Sequence, residues 1–213
     1  FTHCNSHSSS WLFLVNQVSL NSGETLLGKR RLDQVAAELG RKIKHFHTDN
    51  HPFGSKEFQE DLALNGQTVT FSGVGAHHQN GVSENAVKLV TQMARAMMMH
   101  QLIHWPDEFD PSLWGFALQH AVHIWNHTPN TSSGLSPYEK FTGTKDPSYS
   151  TIRRARVWGC PVYVLDPTLQ DGKKLPKWKK RSRLGMNVGV SDQHSSSVNQ
   201  VLSLDAGHVS PQH

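Results

Sequence analysis

The segment His45-Phe-His-Thr-Asp49-Asn50 and the later segment His78-Gln-Asn-Gly-Val-Ser-Glu84-Asn85 each place a carboxylate beside the end of an expected secondary-structure element. Basic and less polar residues alternate from 41 to 48, which predicts a strand that ends at Asp49. Apolar residues recur at helical spacing after Gly81, which predicts a long helix with Glu84 near its start. Because hard divalent cations prefer carboxylate ligands, the pair predicts a metal site suited to phosphoryl transfer.

The other patterns in the first 130 residues predict an α/β domain. Apolar runs predict strands over 11–15 and 69–71, whereas residues 2–10 have poor strand character. Helices are predicted over 24–39, 54–64, 82–102 and 111–126, and residues 72–81, with three glycines, predict a mobile loop. Ser22 is expected to cap the first helix, and Trp114 and Trp125 are expected in the core. Strands mixed with helices in this order indicate a mixed sheet with flanking helices.

The pattern changes in the second half of the chain. Residues 131–152 are rich in Thr, Ser, Pro and Gly and are interpreted as a connection between domains. Short strands are predicted over 157–165, 185–190 and 197–204, which indicates a small β-barrel. We therefore predict a core domain over 1–130, a linker over 131–152 and a barrel with a basic loop over 153–213.

Composition narrows the class of protein. The chain has 213 residues, a formal net charge of +4 and a computed pI near 9.1. Residues 153–183 hold ten Lys or Arg and two Asp, so this segment alone carries +8 and predicts a polyanionic partner. Two cysteines give no disulfide framework and no zinc cluster, and no run predicts a membrane span or a signal peptide. Phe1 is not an initiator residue, so we expect a fragment of a longer polypeptide.

The strongest charge cluster runs from Lys173 to Arg183, where seven of eleven residues are basic. We predict that it contacts a DNA backbone, because neutralising phosphates supplies most non-specific affinity. A solvated loop and a nuclear-targeting sequence are the alternatives. Trp178, inside this cluster, either stacks on a base or packs against the barrel.

Several phrases together resemble the integrase region of copia-type (Pseudoviridae) retrotransposon polyproteins. In the first part they are Ser22-Gly-Glu-Thr25, Ile43-Lys-His-Phe-His-Thr-Asp-Asn50, Gln79-Asn-Gly-Val-Ser-Glu84, Trp125-Asn-His-Thr-Pro129 and Ser136-Pro-Tyr-Glu139. In the second part they are Gly159-Cys-Pro-Val-Tyr-Val-Leu165, Lys177-Trp178 with Arg181-Ser-Arg183, and the closing Gly207-His-Val-Ser-Pro-Gln212. The resemblance covers nearly the whole chain, and several of the motifs follow the family's order.

This resemblance implies an RNase H-like core followed by an SH3-like β-barrel. It also implies a D, D, E triad that holds two Mg²⁺ (or Mn²⁺) ions, trims a DNA 3′ end and then joins that end to target DNA. Asp49 matches the second acid of the triad and Glu84 the third. The implied partners are DNA and further copies of the chain, and the implied location is the nucleus, or otherwise another intracellular site. The DNA-binding residues expected are Asn80, Lys88, Arg95, Lys173, Lys174, Lys177, Lys179, Lys180, Arg181 and Arg183.

The first acid of the family's triad has no counterpart in the expected place. Counting back from Glu24-Thr25 puts Ser6 at that position. A neutral hydroxyl cannot replace a carboxylate that bridges two Mg²⁺ ions, so strand transfer is expected to be lost or severely weakened. We interpret the chain as a decayed or partial copy of the element. The alternatives are an active transferase with another acid in that place, a catalytically dead DNA-binding remnant and a protein-interaction module.

Overall fold

A computed structural model describes most of the chain, namely residues 2–6, 8–19, 21–48, 53–73, 81–146, 148–191, 194–195 and 197–213. The chain divides into two compact units. The first unit comprises Phe1–Leu89 and Trp125–Lys145, and the second comprises Val90–Ile124 and Asp146–His213. The domain boundaries given above stay a prediction.

The strands of the first unit form two pairs of opposite type. Strands β1 (Thr2–Asn5) and β2 (Leu12–Val15) are antiparallel, with Asn5 opposite Leu12. Strands β3 (His45–Thr48) and β4 (Thr68–Phe71) are parallel, with Thr48 opposite Phe71. A strand therefore forms within residues 2–10 despite their poor strand propensity, because antiparallel pairing holds Thr2–Asn5 alongside the apolar strand β2.

Helices α1 (Ser22–Glu38) and α2 (Lys56–Leu64) begin at side-chain caps. The predicted cap Ser22 is wrong, since the Asn21 side chain accepts the Glu24 backbone N–H at 2.8 Å and Ser22 is already helical. Either side chain offers an oxygen suited to the role, so the two adjacent positions are not distinguished by sequence. Helix α2 follows the prediction closely, with Ser55 as its N-cap and Asn65 as its C-cap.

The core of the first unit is an apolar cluster between these helices and strands. Trp11, Leu32, Phe46, Phe58 and Leu62 are all buried in it. Trp11 stacks on Phe141 with ring centroids 4.2 Å apart, and this partner lies on a short helix over Pro137–Thr142. The predicted linker thus supplies an apolar side chain to the core of the first unit.

Within the described residues from 81 to 154, two long helices precede two short ones. The long helices are α3 (Gly81–His104) and α4 (Trp114–His127), and a single turn of 3₁₀ helix at Pro111–Leu113 precedes α4. The short helices are α5 (Pro137–Thr142) and α6 (Ser150–Arg154). Both sides of the capping box that starts α5 are present, between Ser136 and Glu139. The predicted core position of Trp114 is wrong, because this side chain at the start of α4 is 49% exposed.

The second unit contains a four-stranded antiparallel sheet in sequence order, which confirms the expected β-rich C-terminal part. Its strands are β5 (Pro161–Leu165), β6 (Ser182–Val190), β7 (Asn199–Ser203) and β8 (Val209–Gln212), and the short helix α7 (Pro167–Gln170) follows β5. Strand β8 was not singled out in the sequence. Pairing between β6 and β7 is irregular between Asn187 and Val190, where the chain leaves the regular ladder. The chain as a whole is a mixed α/β protein, as predicted.

His120 on α4 is buried in the second unit. The His120 and Trp158 ring centroids are 6.2 Å apart. A Cβ added at Gly189 would lie 3.2 Å from the Cβ of His120, so the glycine backbone packs closely against this side chain. Burial lowers the pKa of His120, and a hydrogen bond with the Arg156 backbone opposes that shift only in part. The folded protein therefore holds this ring neutral at a pH where the unfolded chain would protonate it.

We expect a stability loss at mildly acidic pH that depends on His120. Because the folded pKa is lowered, the stabilisation is present above the unfolded pKa of about 6.5 and is lost as pH falls below it. His120→Gln should remove up to about 1.4 kcal/mol per pH unit from the slope of unfolding free energy in that range. The exposed His104, replaced in the same way, provides the control, and urea unfolding between pH 7.5 and pH 5.5 measures both. Equal slopes in the two variants and the unmodified chain would contradict the assignment.

Candidate metal-site residues and nucleic-acid interface

Ser6, the residue at the expected first-acid position, closes the β1–β2 hairpin through its backbone. Its N–H donates to the Trp11 carbonyl at 2.8 Å, and its own carbonyl accepts the Ser10 N–H at 2.7 Å. The neighbouring Asn5 ends β1, and its side-chain Oδ1 is buried without a hydrogen-bond partner within the described part of the chain. A hydroxyl and an amide therefore stand at the end of the first strand.

Of the two acids predicted for the metal site, Glu84 lies within the described residues and Asp49 does not. Glu84 lies in the first turn of α3, as the sequence predicted, and its side chain is exposed. A carboxylate in a first turn is favoured by the partial positive charge of the helix N-terminus, so this position suits an acid with or without a metal. Asp49 and the DNA-contact candidate Asn80 lie outside the described residues, although Asp49 directly follows the last residue of β3.

Two histidines on β3 form an exposed polar row that the sequence prediction did not single out. His45 Nδ1 lies 2.7 Å from Thr68 Oγ1, and His47 Nδ1 lies 2.9 Å from Thr70 Oγ1 on the adjacent β4. The signal was present, because His45 and His47 alternate with the buried Phe46 and so share one face of the strand. No group of three or more His, Cys, Asp or Glu that could hold a metal ion occurs among the described residues.

The basic candidates on α3 are both exposed. Lys88 and Arg95 project from the surface of this helix, seven residues apart and therefore on the same side of it. Neither takes part in an ion pair within the described residues. Their contact with a phosphate backbone stays a prediction.

The C-terminal basic segment, residues 173–183, is the most exposed charge cluster of the second unit. Six of its basic side chains are exposed, and Arg183 is half-buried where β6 begins. Lys173 lies 3.7 Å from the Asp171 carboxylate, a long and exposed ion pair. Hydrogen bonds to Thr168 lower the pKa of Asp166, and the charges of Lys179 and Arg183 lower it further. The positive charge of this segment therefore stabilises the ionised form of the nearby Asp166 carboxyl.

Trp178 stands out of the basic segment into solvent. Its side chain is 91% exposed, and Lys177 Nζ lies 5.4 Å from its ring centroid. Packing against the sheet, one of the two predicted roles, is therefore not what the structure shows. An exposed indole beside several cations can stack on an unpaired base, so its position fits nucleic-acid contact.

No known family model matches the chain. A curated relative is the retrovirus-related Pol polyprotein from transposon TNT 1-94 of Nicotiana tabacum, which is 29% identical over 147 residues. That match covers 67% of this chain, and the chain spans only 10% of the length of the polyprotein. The chain is thus related to the Pol polyprotein of a copia-type retrotransposon, which confirms the resemblance found in its motifs.

Retroviral integrases are among the similar solved structures. The catalytic core domain of HTLV-2 integrase, solved with magnesium in trimeric and dimeric forms, is 19% identical with TM-scores of 0.46 and 0.45. These matches cover 66% and 65% of this chain and 90% and 81% of the respective core-domain chains. The simian T-cell lymphotropic virus intasome, solved with the PP2A regulatory subunit B56 gamma, is 16% identical with a TM-score of 0.49. This match covers 96% of this chain and 65% of the matched intasome chain.

No helix among the described residues is both long enough and apolar enough to cross a membrane.

Proposed function

We propose that the chain is the integrase catalytic-core region of a copia-type retrotransposon polyprotein, with its strand-transfer activity lost or severely weakened. The observation that carries this proposal is the sequence match to a Pol polyprotein over two thirds of the chain. The resemblance of the motifs assigns that part of the polyprotein to the integrase. The substrate is DNA, and the expected cofactor is Mg²⁺ or Mn²⁺.

The proposed core is RNase H-like, and the C-terminal sheet is an SH3-like barrel. Antiparallel β1–β2 and parallel β3–β4 provide the mixed strand directions of such a core. In the C-terminal sheet, the irregularity between Asn187 and Val190 supports barrel closure, because a bulge bends a strand and increases its twist. Homo-oligomerisation and a nuclear location are expected from the family resemblance.

The residues of the proposed metal site do not make a complete ligand set. Asp49 and Glu84 would each supply a carboxylate to a divalent ion, which activates water or a 3′-hydroxyl when bound. The first strand offers the Ser6 hydroxyl and the Asn5 amide, and both are neutral. Neither neutral group can replace the third carboxylate that the implied triad uses to bridge two Mg²⁺ ions, so these residues do not fit that two-metal site. We accordingly assign no catalytic step to this chain.

DNA binding through the basic segment requires only the fold and the charge. The exposed lysines of residues 173–183 and the exposed Trp178 supply the cations and the stacking surface that such binding uses. Retention of this surface beside an incomplete acid set favours a catalytically dead DNA-binding remnant as the closest alternative to a weakened transferase.

We expect the unmodified chain to bind duplex DNA with a steep dependence on salt. If about four of its cations contact phosphates, the slope of log K against log salt should lie near −3.6. Fluorescence anisotropy with a labelled duplex, repeated from about 50 to 200 mM salt, gives this slope directly. Absent binding, or binding independent of salt, would favour the protein-interaction module instead.

A further inference from the structure

An open cleft of about 460 Å³ lies in the second unit, apart from the basic segment 173–183. Its polar lining consists of Arg153, Arg154, Arg156, Cys160, Ser197 and Asn199. None of the described residues that line it is acidic. A volume in this range accommodates a small ligand or one unit of a polymer.

The three arginines give the cleft a concentrated positive charge. All three side chains are exposed, and none takes part in an ion pair within the described part of the chain. Burial raises the pKa of the Cys160 thiol, and the charge of Arg156 opposes that rise. Arg156 and the Cys160 thiol therefore lie near each other in the lining of the cleft.

The backbone that carries the arginines is held firmly at both ends. On the N-terminal side, the Asp146 carboxylate accepts hydrogen bonds from Ser150 Oγ at 2.8 Å and Thr151 N–H at 3.3 Å, at the start of α6. On the C-terminal side, Trp158 is 2% exposed, and the Gly159 N–H donates to the Asn187 carbonyl at 2.8 Å. The guanidinium groups thus extend from an ordered segment, which reduces the entropy lost when they bind a ligand.

We propose that this cleft binds a phosphoester anion, either a backbone phosphate of a nucleic acid or the phosphate of a free nucleotide. Guanidinium groups bind phosphate oxygens with two parallel N–H donors, so Arg154 and Arg156 can each contact a different pair of oxygens. The Ser197 hydroxyl and the Asn199 amide add neutral hydrogen-bonding groups to the lining of the cleft. The site stands on its own geometry and does not depend on the proposed integrase function.

Cys160 provides a reporter inside the cleft of the full chain. The chain has two cysteines, and burial raises the pKa of the other one, Cys4, to about 11, so Cys4 has little reactive thiolate. Alkylation near pH 8.5 should therefore modify Cys160 selectively, and Cys160→Ser should remove that modification. We expect pyrophosphate at ten times its Kd to slow alkylation about tenfold, because only the unliganded protein reacts.

Variants of the cleft arginines and competing anions test whether a phosphate anion binds in the cleft. The Arg154→Gln, Arg156→Gln double variant should lose the protection, Arg156→Lys should keep part of it, and Lys56→Gln with Lys140→Gln, at exposed positions outside both the cleft and the basic segment, should leave it unchanged. Protection by duplex DNA but not by pyrophosphate identifies a backbone phosphate as the ligand, and the reverse identifies the phosphate group of a small free molecule. Absence of protection by both, equal protection by chloride at the same ionic strength, or full protection in a folded double Gln variant would overturn the proposal. Because DNA anisotropy is measured separately, failure here leaves the test of the proposed function intact.

Discussion

Replacing Lys174, Lys177, Lys179 and Lys180 with Gln should weaken duplex DNA binding by about 100-fold to 1,000-fold at about 0.1 M salt. All four side chains are exposed in one short segment. Each phosphate contact releases counterions and contributes roughly 0.9 to the slope of log K against log salt. The slope of the variant should therefore be smaller by about 3 to 4 than that of the unmodified chain, if all four lysines touch phosphates. Anisotropy at several salt concentrations measures both quantities.

A matched variant separates location from total charge. Arg31, Lys56, Lys140 and Lys145 are equally exposed and lie outside the segment. Their joint replacement by Gln removes the same net charge but should leave the salt slope within about one unit of the original. If both variants lose affinity alike, DNA binding reflects overall charge, and the basic segment has no special role.

Asp61→Ala should lower the free energy of unfolding by about 3 kcal/mol, because it breaks a buried ion pair. Lys29 and Asp61 join α1 to α2, with Lys29 Nζ 2.6 Å from Asp61 Oδ2 and side chains only 2% and 7% exposed. Burial raises the pKa of Asp61, but hydrogen bonds and charges from Lys29 and Arg30 outweigh it and leave the pKa below its usual value. Removing Asp61 leaves Lys29 buried with Asp33, at 2.9 Å, as its remaining acidic partner.

Glu60→Ala provides the control on the same helix. Glu60 meets Lys56 at 3.6 Å with both side chains largely exposed, so its loss should cost less than about 0.5 kcal/mol. Urea unfolding near pH 7 compares the two variants. Because the folded pKa of Asp61 is lowered, its contribution is present above pH 4 or so and disappears as pH falls further. Similar stability losses in the two variants would show that the buried pair contributes no more than a surface pair.

Local signals in the sequence predicted most elements of the first unit. Ser55 and Asn65 bound α2 because capping depends on a few adjacent residues, and β3 ends beside Asp49 because its alternation is local. Contacts between distant residues were not predictable in the same way. The sequence alone predicts that Lys29 is an exposed cation on a helix. It is buried in the folded chain, where Asp61 lies beside it and neutralises its charge.

The same contrast between local signals and contacts of distant residues applies to the candidate sites. Glu84 in the first turn of α3 and the exposed basic segment follow from local pattern and charge. The arginine cleft does not, since Arg153, Arg154 and Arg156 are neighbours in sequence, whereas Ser197 and Asn199 join them in one cleft only through the fold. Trp114 shows the converse, because a large aromatic residue in an apolar helix is predicted to be buried, whereas the fold leaves this side chain 49% exposed.

A strand-transfer assay tests the central claim most directly. The unmodified chain would be mixed with a labelled duplex that has a recessed 3′ end, a target duplex and Mg²⁺ or Mn²⁺, with Glu84→Gln as the control. Because Ser6 supplies no carboxylate where the triad needs one, we predict no joined product above the level of the Glu84→Gln variant, although both proteins bind the DNA. Robust joining that disappears in Glu84→Gln would contradict the account and show that another acid completes the site.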